Sequence, residues 1–387
     1  MLTRRSMLVL AGLSAGAGVL PAASVARATG GPAAFPLPAP TGRHAVGTRV
    51  LHLVDRDRID PLAPDRRPRE LMVQLWYPAA WTGGHRRATY SGAVAAAELE
   101  ASLPLIPGTL AAARPHARVN APAAPGPLPL VLLGHGRKGS RAHGTALAED
   151  LASHGHLVAG VDHTFDAAVV EFPGGRVVRS VLPDEPADWE AQERLEIGAR
   201  VGDLRFLAGA LTRGSGIGHG PGAPVADRGR IGVLGHSMGG AAAAEALRVD
   251  GRFRAGVALD AGLFGSPVPD LGLDRPFLLL TALEDHETWQ RWREHQRGWA
   301  RQLRITGTGH LTFTDLPHLA GPGGLREVWP ADLYAELLGT LRPERSTALV
   351  RSYARACFDR FLTGRPAPLL DGPSVRHPEV EFRWSHR

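Results

Sequence analysis

Runs rich in Leu, Val and Ile recur along the chain: "RVLHLVD" (49–55), "ELMVQLWYP" (70–78), "LPLVLLGHG" (128–136), "HLVAGVDH" (156–163), "RIGVLGHS" (230–237), "AGVALDAG" (255–262), "FLLLTALED" (277–285) and "RQLRITGTGH" (301–310). From the third onward most of them are separated by segments with helical spacing, such as "GTALAEDLASHG" (144–155), "ERLEIGARVGDLRFLAGALTRG" (193–214) and "AAAAEALRV" (241–249). Strands that read as apolar on both faces and alternate with helices predict a mostly parallel sheet with helices on both faces. The first two runs have no helix between them and are expected to pair antiparallel at one edge. "STALVRSYARACFDRFLTG" (346–364) has apolar residues at helical spacing and ends at glycine, as a final docked helix would.

Three segments fall outside this rhythm. Residues 91–127 join "SGAVAAAELEASLPLIPGTLAAA" to a Pro/Ala-rich loop, too long for a plain connection. It reads as a cap over a pocket, as a surface for transient lipid contact, or as an insertion packed on the sheet edge. Residues 29–42, "TGGPAAFPLPAPTG", have the Pro/Gly/Ala content of an exposed tether. At the N-terminus Arg4 and Arg5 precede an apolar stretch of small residues that ends in an A-x-A site at Ala26–Ala28. Together with Thr3-Arg4-Arg5-Ser6-Met7-Leu8 this reads as a twin-arginine export signal over 1–28, so the expected location is extracellular. An uncleaved anchor is the alternative, but glycines and Pro21 interrupt the apolar stretch. What remains, 43–387, reads as a single domain.

Composition narrows the function. The 387 residues are 44% hydrophobic and 21% charged, which fits a globular protein. Net charge is +6, and Arg4, Arg5 and Arg27 lie in the export signal, so too little positive charge remains to argue for nucleic acid. Cys357 is the single cysteine, which excludes an intramolecular disulfide, a four-cysteine zinc site and a CxxC redox pair.

Gly235-His236-Ser237-Met238-Gly239 is G-x-S-x-G between a predicted strand and a predicted helix, the context in which that motif makes an exposed serine nucleophile. Such a serine needs a base, an acid to orient the base, and donors for the oxyanion. Among 17 histidines, His310 in "ITGTGHLTF" follows the last parallel run and is the best-placed base, with His163, His286 and His318 as rivals. The acid is Asp260, closing "GVALDAG", or Asp285 or Glu284, closing "LTALEDH"; periodicity does not decide between them. The backbone N–H groups of Arg137, in "LLGHGRKGS", and of Met238, after the serine, are the expected oxyanion donors. His154, His156, Asp162 and His163 raise a metal reading, but they straddle a predicted strand, so no metal is expected, and a serine–histidine–acid mechanism needs no organic cofactor. Trp289, Trp292 and Trp299 would share a broad face of one unbroken helix, as core packing or as a lipid dock of a catalytically silent binding protein.

The stretches "GHGRKGSRAHGTALAEDLASHGHLVAGVDH", "GHSMGGAAAAEALRVDGRFRAGVALDAG" and "GTGHLTF" resemble the plasma-type platelet-activating factor acetylhydrolase family, in its secreted bacterial branch. The likeness extends to "ELMVQLWYPA" and "LLDGPSVRHPEVEF". It implies an α/β-hydrolase fold, a cofactor-free serine esterase, and short-acyl lipid or small-molecule ester substrates, with a broad or cutinase-like carboxylesterase as the alternative. The family's serine, acid and histidine fall on Ser237, Asp260 and His310, and its oxyanion donor on Arg137. The family usually has an apolar residue at that last position, so a long cation there is a departure. Oligomeric state is not legible.

Overall fold

The computed structural model describes residues 31–213 and 222–387; the export-signal reading over 1–28 lies outside the described residues. The apolar runs form a ten-stranded sheet. Its strands are β1 (Val46–Ile59), β2 (Pro68–Pro78), β3 (Arg118–Val119), β4 (Pro127–Gly134), β5 (Leu157–Asp162), β6 (Val225–His236), β7 (Phe253–Leu259), β8 (Phe277–Thr281), β9 (Ala300–Ile305) and β10 (Val380–His386). They lie in the order β10-β9-β8-β7-β6-β4-β5-β2-β1-β3. The block from β9 through β5 is parallel throughout, because a helix crosses back between most successive strands. β2 pairs antiparallel with both β1 and β5, and β10 closes the other edge antiparallel to β9. The expected antiparallel pair is therefore present, with β2 one place further inside the sheet.

The described helices include α1 (Ala93–Ser102), α2 (Thr145–Ser153), α3 (Trp189–Thr212), α4 (Met238–Val249), α5 (Glu287–His295) and α6 (Pro343–Thr363). Leu204, Leu207, Ala241, Leu247, Trp289 and Trp292, from α3, α4 and α5, pack on one face of the sheet with Leu132 and Val233. Leu147 and Leu151 of α2 and Leu349, Tyr353 and Phe358 of α6 pack on the other with Val131, Leu133 and Leu234. Alternate residues of β4 and β6 thus feed opposite cores, as a strand period of two requires. This is the α/β-hydrolase arrangement.

A third cluster caps the end of the sheet where the parallel strands finish. Residues 91–127 contribute Ala95, Leu99, Leu105 and Leu110, which pack against Leu311, Leu316, Leu319, Trp329 and Leu337. Glu100 ties the segment to itself: its carboxylate accepts the Gly108 and Leu110 N–H groups at 2.8 and 2.7 Å.

Two expectations are corrected. The part of 29–42 that is described is no tether. Leu37 is buried, Phe35–Pro36 pairs with Ala113–Arg114, and Thr41 donates to Asp150 through its N–H and its hydroxyl, both at 2.8 Å. Arg351 on α6 also binds the carbonyls of Pro38 and Ala39, so the proline-rich composition here serves a packed extended strap. Trp299 does not share a helix face with Trp289 and Trp292, because α5 ends at His295. Trp289 and Trp292 are core residues, the former donating its indole N–H to the Ala261 carbonyl at 2.8 Å. That burial removes the tryptophan lipid dock.

Candidate active site

The site is built where β4, β6, β7 and β8 end. β6 runs straight into α4, and Ser237 at the corner has φ 54° and ψ −125°, a left-handed conformation rare for any residue with a side chain. The glycines make the turn sterically feasible. A Cβ on Gly235 would sit 2.1 Å from the Gly239 carbonyl carbon, and one on Gly239 would sit 2.4 Å from the Gly134 oxygen. The corner is fixed by the Ser237 N–H donating to the Leu259 carbonyl at 2.9 Å and the Gly240 N–H donating to the Ser237 carbonyl at 2.8 Å. Met238 opens α4, so its N–H has no partner within the helix.

Asp260 stands one residue past β7, also left-handed, with φ 47°. Its Oδ2 accepts from His310 Nδ1 at 2.7 Å and its Oδ1 from the Ala282 N–H at 2.8 Å. Burial alone would raise the carboxyl pKa, but the hydrogen bond and charge of His310 outweigh it and hold Asp260 below the usual carboxylate range. With Nδ1 committed to Asp260, Nε2 is the ring nitrogen of His310 left for the pocket that Ser237 also lines. His310 is held from behind by His236, whose Nε2 donates to the His310 carbonyl at 2.8 Å. Burial, and after it the neighbouring His310, lowers the His236 pKa to about 3, so its imidazole is neutral. The loop carrying His310 is pinned through Thr312, which accepts the Gly309 N–H and donates to the Leu338 carbonyl, both at 2.8 Å.

The structure therefore brings Ser237, Asp260 and His310 to one pocket, together with Arg137 and Met238. The alternative acids lie elsewhere. Asp285 is 40% exposed and engaged by Arg293 and Gln290, and Glu284 is 65% exposed and paired with Arg304. The rival histidines have other partners: His163 binds Asp203 at 2.8 Å, His318 binds Thr347 at 2.7 Å, and His286 caps α5 through Thr288 in the pocket wall. Histidines of the metal reading are engaged separately, His154 by Thr41 and Arg355 and His156 by Asp359. No three His, Cys, Asp or Glu side chains converge as metal ligands among the described residues.

The pocket encloses about 170 Å³ and its walls are largely apolar or aromatic: Leu103, Trp189, Phe264, Leu283, Leu311 and Phe313 among them. Arg137 does not project into it as a free cation. Its guanidinium stacks over Trp189, is bound by Glu196 at 2.9 Å and donates to the Pro183 carbonyl at 2.7 Å. Lys138, at φ 52°, is likewise paired, with Asp184.

Sequence reasoning missed a charged layer under this floor. Glu196, Arg200 and Asp203 recur on α3 at helical spacing and are wholly buried. Asp203 binds Arg69 at 2.7 Å and His163; Arg200 binds Asp166 through two hydrogen bonds of 2.6 Å. Burial opposes ionisation of Asp166, but the Arg200 charge prevails and holds it down at about 2. The available signal was three charges at positions i, i+4 and i+7 on the helix face that also carries Ile197, Leu204 and Leu207.

Comparison with known proteins now bears on the site. The model of the family "Platelet-activating factor acetylhydrolase, isoform II" matches residues 93–174 and 225–323, stretches that contain Arg137, Ser237, Asp260 and His310. The chain is 30% identical over 392 aligned positions to a "Probable 1-alkyl-2-acetylglycerophosphocholine esterase" of Arthroderma benhamiae, covering 91% of this chain and 94% of that protein. It is 33% identical over 227 positions to a platelet-activating factor acetylhydrolase of Canis lupus familiaris, covering about half of each. A ferulic acid esterase from Streptomyces cinnamoneus superposes with a TM-score of 0.80 at 42% identity, covering 90% of this chain and 99% of that structure. The chain belongs to the platelet-activating factor acetylhydrolase isoform II family and is a carboxylic-ester hydrolase.

Proposed function

We propose that this esterase works through a covalent acyl-enzyme on Ser237, with His310 as base, Asp260 as its orienting acid, and the N–H groups of Arg137 and Met238 as oxyanion donors. The observation that carries the reading is the 2.7 Å Asp260–His310 hydrogen bond beside a left-handed serine at a strand–helix corner. His310 Nε2 takes the Ser237 proton as Oγ attacks the ester carbonyl, and the carbonyl π electrons move onto oxygen. Asp260 accepts from Nδ1–H throughout, which selects the tautomer with Nε2 free and stabilises the imidazolium. The tetrahedral intermediate collapses, the C–O bond to the alcohol breaks, and the alcohol leaves with the proton from His310. Water, deprotonated by the same imidazole, then attacks the acyl-enzyme, releasing the acid and restoring Ser237.

The apolar pocket suits a compact acyl group, and short-acyl glycerophospholipid esters are the first substrate class, following the names of the relatives. A second class, esters of hydroxycinnamic acids, is supported by the 42% identity to the ferulic acid esterase and by the aromatic side chains Trp189, Phe264 and Phe313 in the walls. Export by the twin-arginine segment remains part of the proposal and would place either substrate outside the cell.

The test is a panel of aryl esters of increasing acyl length, an acetyl-glycerophosphocholine and a methyl hydroxycinnamate, with covalent labelling by a serine-directed phosphonate. Labelling and all turnover should vanish in Ser237→Ala. Turnover of the phospholipid supports the first substrate class, and turnover of the hydroxycinnamate alone replaces it with the second. Activity persisting in Ser237→Ala would end the mechanism.

A further inference from the structure

We infer that Arg200, braced by Asp166 and seconded by His135, is the clamp that aims the Arg137 N–H at the oxyanion, and so controls the chemical step without touching substrate. The inference rests on the reading of Arg137 N–H as an oxyanion donor.

The argument begins with the peptide unit. The Arg137 N–H belongs to the same plane as the Gly136 carbonyl, and in a trans peptide the two point in opposite directions. Whatever fixes the Gly136 oxygen therefore fixes the Arg137 N–H. That oxygen accepts three donors: His135 Nδ1 at 2.6 Å, Arg200 Nη2 at 3.1 Å and the Gly139 N–H at 3.0 Å. Arg200 also binds the preceding carbonyl, that of His135, through Nη1. Gly136 faces the reaction side: a Cβ there would lie 3.3 Å from Ser237 Cβ. The clamp thus holds one side of the loop while the nucleophile stands against the other.

The loop cannot hold this posture unaided. Lys138 sits at φ 52°, in a region that costs any non-glycine residue roughly 1 kcal/mol or more. Its N–H is drawn to Asp166 Oδ1 at 3.3 Å, so the carboxylate that grips Arg200 also tethers the strained residue. The tautomer of His135 is set as well. Its Nε2 accepts from the His163 N–H at 3.2 Å, leaving Nδ1 to carry the proton donated to Gly136. Burial, reinforced by the Arg200 charge, keeps the ring neutral.

The choice of arginine is specific. One planar guanidinium meets both Asp166 oxygens and both loop carbonyls, with Arg200 and Asp166 entirely out of solvent. A lysine offers a point charge on a flexible stem and cannot span these four acceptors. A bare structural ion pair would not need the two carbonyl contacts, which lie on the peptide units leading to the oxyanion donor.

The decisive comparison is Arg200→Lys against the parent chain, with active sites counted by phosphonate titration so that a misfolded fraction does not enter kcat. The expected result is kcat per titrated site reduced ~10- to 100-fold with KM within ~3-fold, less than the 10²–10³ lost when a donor is removed outright. The affinity of a boronic acid that forms a tetrahedral adduct should fall in parallel. A kcat per titrated site within ~3-fold of the parent, however much the melting temperature drops, would overturn the clamp. If Arg200→Lys does not fold, Asp166→Asn takes its place: reduced kcat at constant KM supports the clamp, and unchanged kcat overturns it. Ser237→Ala is run alongside. If it retains activity, the underlying reading falls; if it is inert while Arg200→Lys is fully active per site, only the clamp falls.

Discussion

Replacing Asp260 with asparagine tests the acid–base pair with little change in shape. Asp260 is 3% exposed and makes two hydrogen bonds, from His310 Nδ1 at 2.7 Å and from the Ala282 N–H at 2.8 Å. In Asp260→Asn the amide oxygen can still accept from Ala282, which places the NH₂ group against His310. Two donors cannot share that contact, so His310 must turn its unprotonated nitrogen toward the amide and carry its proton on Nε2. In that tautomer it cannot take the proton from Ser237. Loss of the carboxylate also removes the charge that stabilises the imidazolium formed in the transition state. Together these effects should lower kcat by ~10³- to 10⁴-fold, about 4–5.5 kcal/mol of transition-state stabilisation, with KM little changed. The assay is release of nitrophenol from a short-acyl aryl ester between pH 7 and 8, with Asp285→Asn as the parallel variant. Asp285 is partly exposed and satisfied by Arg293 and Gln290, so its replacement should leave kcat within about twofold. Retention of more than about a tenth of kcat by Asp260→Asn, or an equal loss in Asp285→Asn, would refute the assignment of the acid.

Three further outcomes follow from the same geometry. Gly235→Ala should cost about 3 kcal/mol or more, because its Cβ would meet backbone at 2.1 Å that cannot yield, and a lower urea midpoint with loss of phosphonate labelling would register it. Asp203→Asn should lower stability at pH 7 by ~3–5 kcal/mol by leaving Arg69 buried with one carboxylate fewer. Burial opposes ionisation of Asp203, but Arg69 and His163 hold its pKa far below the ordinary value, so its contribution is present above the usual carboxylate range and is lost as pH falls. The difference between the parent and Asp203→Asn should therefore narrow in acid. Asp315 behaves oppositely. Burial raises its carboxyl from 3.8 to about 8, against the opposing effects of the Ala146 N–H, Arg351 and Tyr90. A group raised in the folded state gives stability that is complete below the unfolded pKa and lost as pH rises through the folded one, so Asp315→Asn should flatten the fall in melting temperature between about pH 4 and pH 8. An unchanged slope would refute the buried neutral carboxyl.

The parallel core was legible because strands buried on both faces must be almost continuously apolar, and β4, β5, β7, β8 and the second half of β6 nearly are. The edge strand β10, "VEFRWSH", was read only as part of a resembling tail, since a half-exposed antiparallel edge leaves no such run. The strap at 31–42 was misread because composition reports what a segment can do in isolation, whereas Arg351 and Asp150, distant in sequence, decide that it packs. Ser237 and the glycines around it follow from a steric rule compressed into five residues. The choice between Asp260 and Asp285 could not come from periodicity, because both follow neighbouring parallel strands. It depends on which carboxylate the loop carrying His310 reaches.

The buried charges of α3 were illegible for a different reason: a charge at helical spacing ordinarily reads as a solvated face. Here Glu196, Arg200 and Asp203 face inward, each matched by a charge from another segment: Arg137, Asp166 and Arg69. Apolar side chains of similar volume would often serve stability as well or better, so stability is a weak explanation for three such pairs on one face. What they have in common is their target. Glu196 holds the side chain of Arg137, Arg200 holds the carbonyls on either side of Gly136, and Asp203 holds the histidine whose N–H fixes His135. Directional bonds can set a peptide plane to within the tolerance an oxyanion contact demands, and dispersion contacts cannot. The other pocket wall is formed by the apolar side chains of Leu103, Leu311, Phe313 and Leu316. Substitutions in that wall should therefore alter which acyl group is accepted, whereas substitutions under the loop should alter how fast any acyl group reacts.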